Sequence, residues 1–210
     1  MFYSICLTIL RVLFKIIFHA RARGEENIPR RGPVLIAPNH VSFLDPVAVG
    51  TATPRQLHYM ARDDLFIIPV LGWLIKRLNS FPVKKDRADP EAIKEALRIL
   101  KRGEALLLFP EGTRSPDGRL LPGQLGVGML AWHSRATVVP AAIIGSDKAL
   151  PVGAKRMRRV RIEVRFGKAI SPEEFPEKEK RRDTYQAISD KIMERIKELK
   201  AEREEGKVES

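Results

Sequence analysis

The sequence predicts an α/β protein with a mostly parallel or mixed central sheet flanked by helices. Beyond Gly24, short strand-like runs alternate with longer segments of helical periodicity, which is typical of a sheet whose strands are joined by helices. The first and middle runs are continuously apolar, as expected for strands covered on both faces. A length of 210 residues, with 44% apolar and 30% charged residues, suits one folded domain with a sizeable core.

The N-terminal segment, MFYSICLTILRVLFKIIF, is mostly apolar but carries a regular polar pattern. Ser4, Thr8, Arg11, Lys15 and His19 recur at spacings of three and four, so they form one narrow stripe along a helix. A membrane span would bury two cations at about 2.5–3.5 kcal/mol each, whereas a helix lying in the membrane interface would leave them at the headgroups. We therefore predict an amphipathic membrane-interface helix, with a segment boundary at residue 23.

Three other interpretations of this segment stay open. A first helix packed on the core, with its charges outward, explains the same stripe. A secretory signal would end near the ARA at residues 20–22, but in such a signal the charges precede the apolar run instead of lying within it. A transmembrane helix would carry the cost of two buried cations.

The remaining elements follow from local patterns. Strands are predicted at 33–37, 58–61, 81–83, 105–109, 137–144 and 159–166, and helices at 64–78, 89–103 and 125–135. The clearest helix is 89–103, because Asp89 suits the N-cap, Pro90 the first turn and Gly103 the end. In the strand 159–166, charged and apolar residues alternate, which indicates a half-exposed strand with a basic outer face. Residues 178–205 are predicted to form a packed amphipathic helix that frays into an acidic tail at its end.

The charge and cysteine content restrict the partners. Lys and Arg exceed Asp and Glu by 12, which favours an anionic partner such as a membrane, a nucleic acid or a phosphorylated small molecule. No zinc-ligand pattern, aromatic RNA-binding stretch or basic helix supports a nucleic acid. The single cysteine, Cys6, excludes an intrachain disulfide.

His40 and Asp45 follow the first of these strands in the stretch APNHVSFLDP. On a regular helix, side chains five positions apart point about 140° away from each other, so these two meet only across a turn. In such a turn Asp45 would accept a hydrogen bond from Nδ1–H of His40 and fix its tautomer. A helix N-terminus capped by Asn39 or Ser42, with Asp45 in its first turn, accounts for the same residues. The pair is therefore a candidate catalytic dyad or part of a helix cap.

A second polar cluster, FPEGTRS at residues 109–115, follows another predicted strand. Gly112 allows the backbone to approach a ligand closely, and Arg114 offers a planar guanidinium suited to phosphate. Glu111 is suited either to hold Arg114 or to receive a substrate hydroxyl, and a Glu111–Arg114 pair could equally staple a polar turn. Both clusters fall where ligands of parallel sheets bind, beyond the carboxyl ends of strands.

Together, NHVSFLD and FPEGTRS resemble the motifs of the glycerolipid acyltransferase family, particularly its bacterial 1-acylglycerol-3-phosphate acyltransferases. The resemblance extends over roughly residues 24–170, and VVPAAI at 138–143 is similar to a further block of the family. It implies that residues 24–210 form an acyltransferase domain. It also implies that His40 is the general base and Asp45 its orienting partner.

The resemblance implies substrate contacts for the other motif residues. The implied acceptor-binding residues are Arg62, Lys85, Arg87, Glu111, Gly112, Thr113 and Arg114, and Val139 and Pro140 are implied to form a wall near the acyl donor. This chain has Asn79 and Lys85 where the family commonly has glycine and arginine. Lysine lacks the bidentate fork of arginine, so phosphate recognition could shift to Arg87, which leaves the acceptor open.

The implied reaction transfers a fatty acyl group from an acyl-carrier-protein or coenzyme A thioester to the free hydroxyl of 1-acylglycerol-3-phosphate, giving phosphatidic acid. The thioester is a co-substrate, and neither a cofactor nor a metal is expected. The expected partners are anionic membrane lipid and the thioester carrier, at the cytoplasmic face of the cell membrane. Two alternatives stay open: the same chemistry on glycerol-3-phosphate or a lyso-aminolipid, and a nonenzymatic module that binds anionic lipid.

Overall fold

The computed structural model describes residues 2–84, 89–154 and 156–205, with side chains described up to residue 202. Helices and strands alternate along these residues. The helices are α1 (Phe2–Phe18), α2 (Asp45–Ala52), α3 (Pro69–Arg77), α4 (Pro90–Lys101), α5 (Leu125–Ser134), α6 (Ser146–Ala149) and α7 (Arg181–Glu205). The strands are β1 (Arg21–Arg23), β2 (Val34–Pro38), β3 (Leu57–Arg62), β4 (Ser80–Val83), β5 (Ala105–Leu107), β6 (Thr137–Ile144) and β7 (Glu163–Phe166).

The strands form one sheet in the order β1-β7-β6-β2-β5-β3-β4. Neighbouring strands are parallel except for β6 and β7, which are antiparallel. The predicted fold class, an α/β protein with a mixed central sheet, is confirmed. β2 lies between β6 and β5, so the turn that follows β2 emerges at the middle of the carboxyl edge.

Two apolar cores cover the faces of the sheet. Ile36 and Val49 belong to the core beneath α1 and α2, whereas Leu35 and Ile192 belong to the core beneath α4, α5 and α7. Leu35 and Ile36 point to opposite faces, and both are fully buried. β2 is therefore covered on both sides, as its continuous apolar sequence predicted.

α1 packs on the first core with one face and leaves another face exposed. Phe14 and Phe18 are buried, and the hydroxyl of Tyr3 accepts a 3.0 Å hydrogen bond from the backbone N–H of Leu57. Among the described residues, no helix combines the length and the apolar character needed to cross a membrane. The N-terminal helix is thus docked on the protein.

The predicted placement of Arg11 at lipid headgroups is wrong. Its guanidinium donates hydrogen bonds of 2.7 and 3.2 Å to the carbonyl oxygens of Thr51 and Thr53, at the C-terminal end of α2. The last carbonyls of a helix have no partner within the helix, so a cation there is well placed to bind them.

The predicted helix at 64–78 is divided into two elements, and an additional short strand, β1, lies near the N-terminus. The helical segment consists of a 3-10 turn at Asp63–Ile67 and then α3, because Pro69 favours an extended conformation at Ile68 (φ −74°, ψ 113°). β1 was not predicted, since three residues carry too little pattern. It pairs with β7 and ends at Arg23, where the N-terminal segment was predicted to end.

β7 lacks the basic, exposed outer face predicted for residues 159–166. It comprises only Glu163–Phe166 and lies between β1 and β6, not at an edge. Arg165 donates a 2.7 Å hydrogen bond to Glu163, and both side chains are 11% exposed. Glu163 and Arg165 thus form a largely buried ion pair, and the Leu199 carbonyl of α7 also accepts from Arg165, whereas Arg159 and Arg161, ahead of β7, are exposed as predicted.

α7 confirms the predicted amphipathic C-terminal helix. Ile188, Ile192 and Ile196 are almost completely buried in the second core. The helix begins at Arg181 and continues to Glu205, so the acidic stretch at its end, which was predicted to fray, is helical.

Candidate active site

The turn between β2 and α2 brings His40 and Asp45 together. Nδ1 of His40 lies 2.9 Å from Oδ2 of Asp45, and the same oxygen accepts 2.7 Å hydrogen bonds from the backbone N–H groups of Val41 and Ser42. Asp45 is fully buried at the start of α2. The predicted contact through Nδ1 is present, and one carboxylate holds both the imidazole and the turn that carries it.

The imidazole of His40 is oriented by a second contact. It stacks on Phe109, with ring centroids 3.7 Å apart and an interplanar angle of 14°. The His40 side chain is 16% exposed. Because a carboxylate can only accept a hydrogen bond, it favours the tautomer with hydrogen on Nδ1, and Nε2 keeps its lone pair. Nε2, which makes no hydrogen bond within the described part of the chain, is the atom able to take a proton from a bound hydroxyl.

The second motif holds the backbone of His40 on both sides. Oε1 of Glu111 accepts a 2.7 Å hydrogen bond from the His40 N–H, and the Ser115 N–H donates a 2.8 Å hydrogen bond to the His40 carbonyl. Oε2 of Glu111 accepts from the Leu121 N–H at 2.9 Å. The two motifs are thus hydrogen-bonded to each other through main-chain groups.

Glu111 acts inside the protein. It is 2% exposed, and burial raises the pKa of its carboxyl group, although the amide donors at Leu121 and His40 act in the opposite direction. Both of its oxygens bind backbone amides, so Arg114 is not its partner. These contacts suit a positioning role for Glu111, and the substrate contact that the resemblance implies stays a prediction.

Arg114 carries a buried hydrogen-bond donor without an acceptor. Its guanidinium carbon lies 3.5 Å from the ring centroid of Phe43. Nη1 is buried and has no hydrogen-bond partner among the described residues. Burial lowers the pKa of Arg114, the nearby charge of Arg62 lowers it further, and Asp45 opposes the effect. Leaving a buried charged donor unsatisfied is costly, so the geometry suits an anion bound beside the two arginines.

Three other predicted acceptor-binding residues lie in the described part of the chain, and their contact with the acceptor stays a prediction. Arg62, at the carboxyl end of β3, is bonded to Asp64. Gly112 has φ +69°, and its N–H donates to the Phe109 carbonyl at 3.1 Å, so this glycine is needed for the turn and its amide is already used. Thr113 is exposed beside it. Lys85 and Arg87 lie outside the described residues.

Val139 and Pro140 lie within β6, in register with Ile36 and Ala37 of β2. Both are buried, and Val139 belongs to the core beneath α1 and α2. Their place in a wall near the acyl donor stays a prediction.

Four further residues support the site, and only Asn39 among them is a candidate from the sequence, as a helix cap. Asn39 clamps the His40 turn to β6, because its side chain exchanges hydrogen bonds of 3.2 and 2.7 Å with the backbone of Ile143. Phe109 and Ser115 make the contacts described above, and Lys200 of α7 donates to the Gly118 carbonyl at 3.1 Å. The first three lie within the quoted motifs, whereas nothing in the sequence pattern indicated Lys200.

A basic cleft of about 720 Å³ adjoins the His40 turn on the side of Asn39 and Val41. It lies between the loop at 118–120, the end of β6 and the end of α7. Its cationic lining residues are Arg119, Lys148, Lys197 and Lys200. Asp147 is the only carboxylate among the described lining residues, so the cleft favours anions.

The family model described as Acyltransferase matches residues 19–144, which include both motifs. The chain belongs to the acyltransferase family. The matched residues include His40, Asp45 and Arg114. The predicted enzyme type, an acyltransferase, is confirmed.

Individual acyltransferases agree with this family. The chain is 29% identical over 201 residues to the 1-acyl-sn-glycerol-3-phosphate acyltransferase of Bacillus subtilis (strain 168), covering 94% of this chain and 96% of that protein. It is 32% identical over 160 residues to the enzyme of the same name from Limnanthes douglasii, covering 74% of this chain and 56% of that one. The crystal structure of the 1-acyl-sn-glycerophosphate (LPA) acyltransferase PlsC from Thermotoga maritima superimposes with a TM-score of 0.76 at 26% identity, covering 95% and 81% of the two chains.

Proposed function

We propose that this acyltransferase moves a fatty acyl group from a thioester donor to the free hydroxyl of 1-acylglycerol-3-phosphate, giving phosphatidic acid. The observation that carries the proposal is the buried, unsatisfied Nη1 of Arg114. Arg114 follows β5, which lies in the sheet between β2, followed by the dyad turn, and β3, which ends at Arg62. A phosphate bound there would bring the glycerol hydroxyl of the same molecule near His40. The names of the relatives from Bacillus subtilis and Thermotoga maritima support this acceptor.

The dyad supplies the proton transfer. Nε2 of His40 removes the proton of the acceptor hydroxyl as that oxygen attacks the thioester carbonyl, and Asp45 stabilises the imidazolium that forms. The carbon–oxygen ester bond forms and the carbon–sulfur bond breaks. The leaving thiolate then takes the proton back from Nε2. The acceptor itself is the nucleophile, so no acyl-enzyme is required.

The basic cleft suits the donor. Both acyl-carrier-protein and coenzyme A thioesters are anionic near the thioester arm, and the cleft adjoins the turn that carries His40. We expect Lys148→Glu/Lys197→Glu to raise the KM for the donor by about tenfold or more, because one repelled charge pair costs on the order of 1 kcal/mol. Arg181→Glu, at the other end of α7, serves as the control. Equal KM values for the two variants would place the donor elsewhere.

We further propose that α1 attaches the enzyme to the membrane, at the cytoplasmic face where the thioester donors are made. Ile5, Ile9, Val12 and Ile16 follow helical spacing and are 53%, 56%, 52% and 67% exposed. Deleting α1 would also remove buried packing, so point variants give a cleaner test. Ile9→Asp/Ile16→Asp should weaken partitioning to anionic vesicles by about tenfold or more, whereas the control Ser4→Asp/Thr8→Asp, on the polar stripe, should partition like the wild type. Equal partitioning of the two variants would assign attachment elsewhere.

The acceptor is tested directly by a panel. Purified enzyme is incubated with an acyl thioester and, in separate reactions, 1-acylglycerol-3-phosphate, glycerol-3-phosphate or a lyso-aminolipid. We expect the highest kcat/KM with 1-acylglycerol-3-phosphate. A higher value with either other acceptor would reassign the substrate, and transfer to none of them would overturn the enzymatic proposal.

A further inference from the structure

A second exposed apolar surface lies where the 3-10 turn meets α3, and we call residues 67–73 the α3 ridge. Ile67, Ile68, Val70 and Trp73 are 79%, 48%, 78% and 52% exposed. Four large apolar side chains exposed within seven residues form a patch that a monomeric soluble surface normally avoids. By contrast, α4 turns Ala96 and Leu100 inward, as an ordinary surface helix does.

The α3 ridge is held in one conformation. The Gly72 N–H donates a 2.6 Å hydrogen bond to the Ile68 carbonyl, and Gly72 packs so closely on the backbone of Phe66 that a Cβ has no room. Pro69 fixes the bend between the 3-10 turn and α3. The four exposed side chains are thus presented on a folded element.

The α3 ridge continues into the exposed face of α1. The rings of Phe2 and Trp73 pack edge to face, with centroids 5.5 Å apart. The guanidinium carbon of Arg77 lies 5.7 Å from the Phe2 centroid and 5.3 Å from the Trp73 centroid. Among the described residues, ten of the thirteen large apolar side chains that are exposed lie on α1 or on the α3 ridge. The apolar surface is therefore concentrated on one side of the molecule.

This surface borders the candidate active site. The 3-10 turn begins at Asp63, directly after Arg62 at the carboxyl end of β3. β3 pairs in parallel with β5, the strand that leads to Arg114, and Phe43, which stacks on Arg114, is itself 57% exposed. The α3 ridge and the anion site thus lie along one edge of the sheet.

We propose that the α3 ridge inserts into an anionic lipid bilayer as a second contact beside α1, so that the active-site edge lies at headgroup level. The inference rests on the proposed function, since a lipid acceptor must reach Arg114 from the membrane. Tryptophan side chains prefer the membrane–water interface. Lys76 and Arg77, at the end of α3, place cations where they can bind lipid phosphates. Two contacts fix the orientation of the protein, which one helix alone cannot do.

The two tryptophans of the chain provide a direct test. Trp132→Phe leaves Trp73 as the only indole, and Trp73→Phe leaves Trp132, which packs against the second core, as the matched control. Fluorescence is recorded with phosphatidylglycerol-containing vesicles, with and without bromine on the acyl chains. We expect Trp73 emission to shift to shorter wavelength and to be quenched by the brominated lipid, and Trp132 emission to stay unchanged.

Unchanged Trp73 emission on protein that floats with the vesicles would overturn the proposal, as would protein that does not float. A blue shift without vesicles, accompanied by a dimer in sedimentation, would assign the α3 ridge to a second copy of the chain. Acyl transfer to 1-acylglycerol-3-phosphate in detergent micelles is measured on the same variants. An active enzyme with unquenched Trp73 contradicts only the ridge, whereas an inactive one contradicts the proposed function.

Aspartate substitutions give an independent measurement. Ile67→Asp and Val70→Asp should each weaken vesicle partitioning by about tenfold or more, since each removes a large apolar side chain from the lipid contact. Val152→Asp, at an exposed apolar position in the loop between α6 and β7, is the control and should partition into vesicles like the wild type. Equal partitioning of all three variants would contradict insertion.

Discussion

The backbone N–H of His40 donates a 2.7 Å hydrogen bond to the buried carboxylate of Glu111, which joins the two sequence motifs of the acyltransferase. The Ser115 N–H binds the His40 carbonyl at 2.8 Å from the same loop. Asp45 orients the imidazole, and the second motif fixes the main chain that carries it. The position of Nε2 therefore depends on residues that need not contact substrate.

Glu111→Gln tests this positioning role. A glutamine has one acceptor oxygen, and its NH₂ group would face an amide N–H, so the His40 turn loses one hydrogen bond and gains a repulsion. We expect kcat to fall by about tenfold to a hundredfold with the acceptor KM changed less than threefold, because a 1 Å displacement of a catalytic group is costly. Steady-state kinetics measure both values. Glu91→Gln, exposed on α4, is the control, and a rise in KM alone would favour a substrate contact instead.

The pH dependence of stability also reports on Glu111. Burial raises the pKa of its carboxyl above the ordinary value of 4.5. At pH values between the ordinary and the raised pKa, the folded protein binds more protons than the unfolded chain. The group therefore stabilises the fold at low pH, and this stabilisation is lost as the pH rises through that interval. The Glu111→Gln variant does not titrate there. The unfolding free energy of the wild type minus that of the variant, from urea denaturation, should therefore fall as the pH rises from 4.5; a constant or rising difference would contradict the pKa shift.

Asp45→Asn tests the orientation of the imidazole. Asparagine can present its NH₂ group to Nδ1, which would favour the tautomer with hydrogen on Nε2 and remove the base. We expect kcat to fall by about 10²–10⁴, measured as initial rate at saturating acceptor and donor. Asp63→Asn, on the exposed 3-10 turn, is the comparison variant. A kcat within twofold of wild type would show that the dyad contact has no catalytic part.

Arg114→Lys tests the anion site. Lysine keeps the charge but cannot present the guanidinium donor that is now unsatisfied, so a charge-assisted hydrogen bond of about 1.5–3 kcal/mol is lost to the acceptor phosphate. The acceptor KM should rise about tenfold to a hundredfold while the donor KM stays the same. Arg98→Lys on α4 should change neither value. If the donor KM rises instead, Arg114 faces the thioester carrier.

The local sequence pattern was sufficient to predict elements whose burial is regular along the chain. β2 could be predicted from its continuous apolar run, because both of its faces are buried. The His40–Asp45 contact was one of two interpretations of its stretch, the other being a helix cap. The 89–103 helix was predictable from Asp89, which accepts hydrogen bonds from the N–H groups of Glu91 and Ala92.

Contacts between distant backbone groups could not be predicted. Arg11 binds carbonyls at separations of 40 and 42 residues, and Glu111 binds an amide at a separation of 71. Glu111 has a plausible partner nearby in sequence, Arg114, and only the tertiary fold brings in the backbone amide of His40. The sequence pattern indicates which side chains can form hydrogen bonds, but not which backbone groups they bind in the folded protein.

The most direct test is the initial rate of acyl transfer from thioester to 1-acylglycerol-3-phosphate by wild type and His40→Ala, with circular dichroism to show that both are folded. Removal of the general base should lower kcat by at least about a hundredfold. A folded His40→Ala enzyme with a rate within twofold of wild type would contradict the central claim that His40 Nε2 takes the proton of the acceptor hydroxyl.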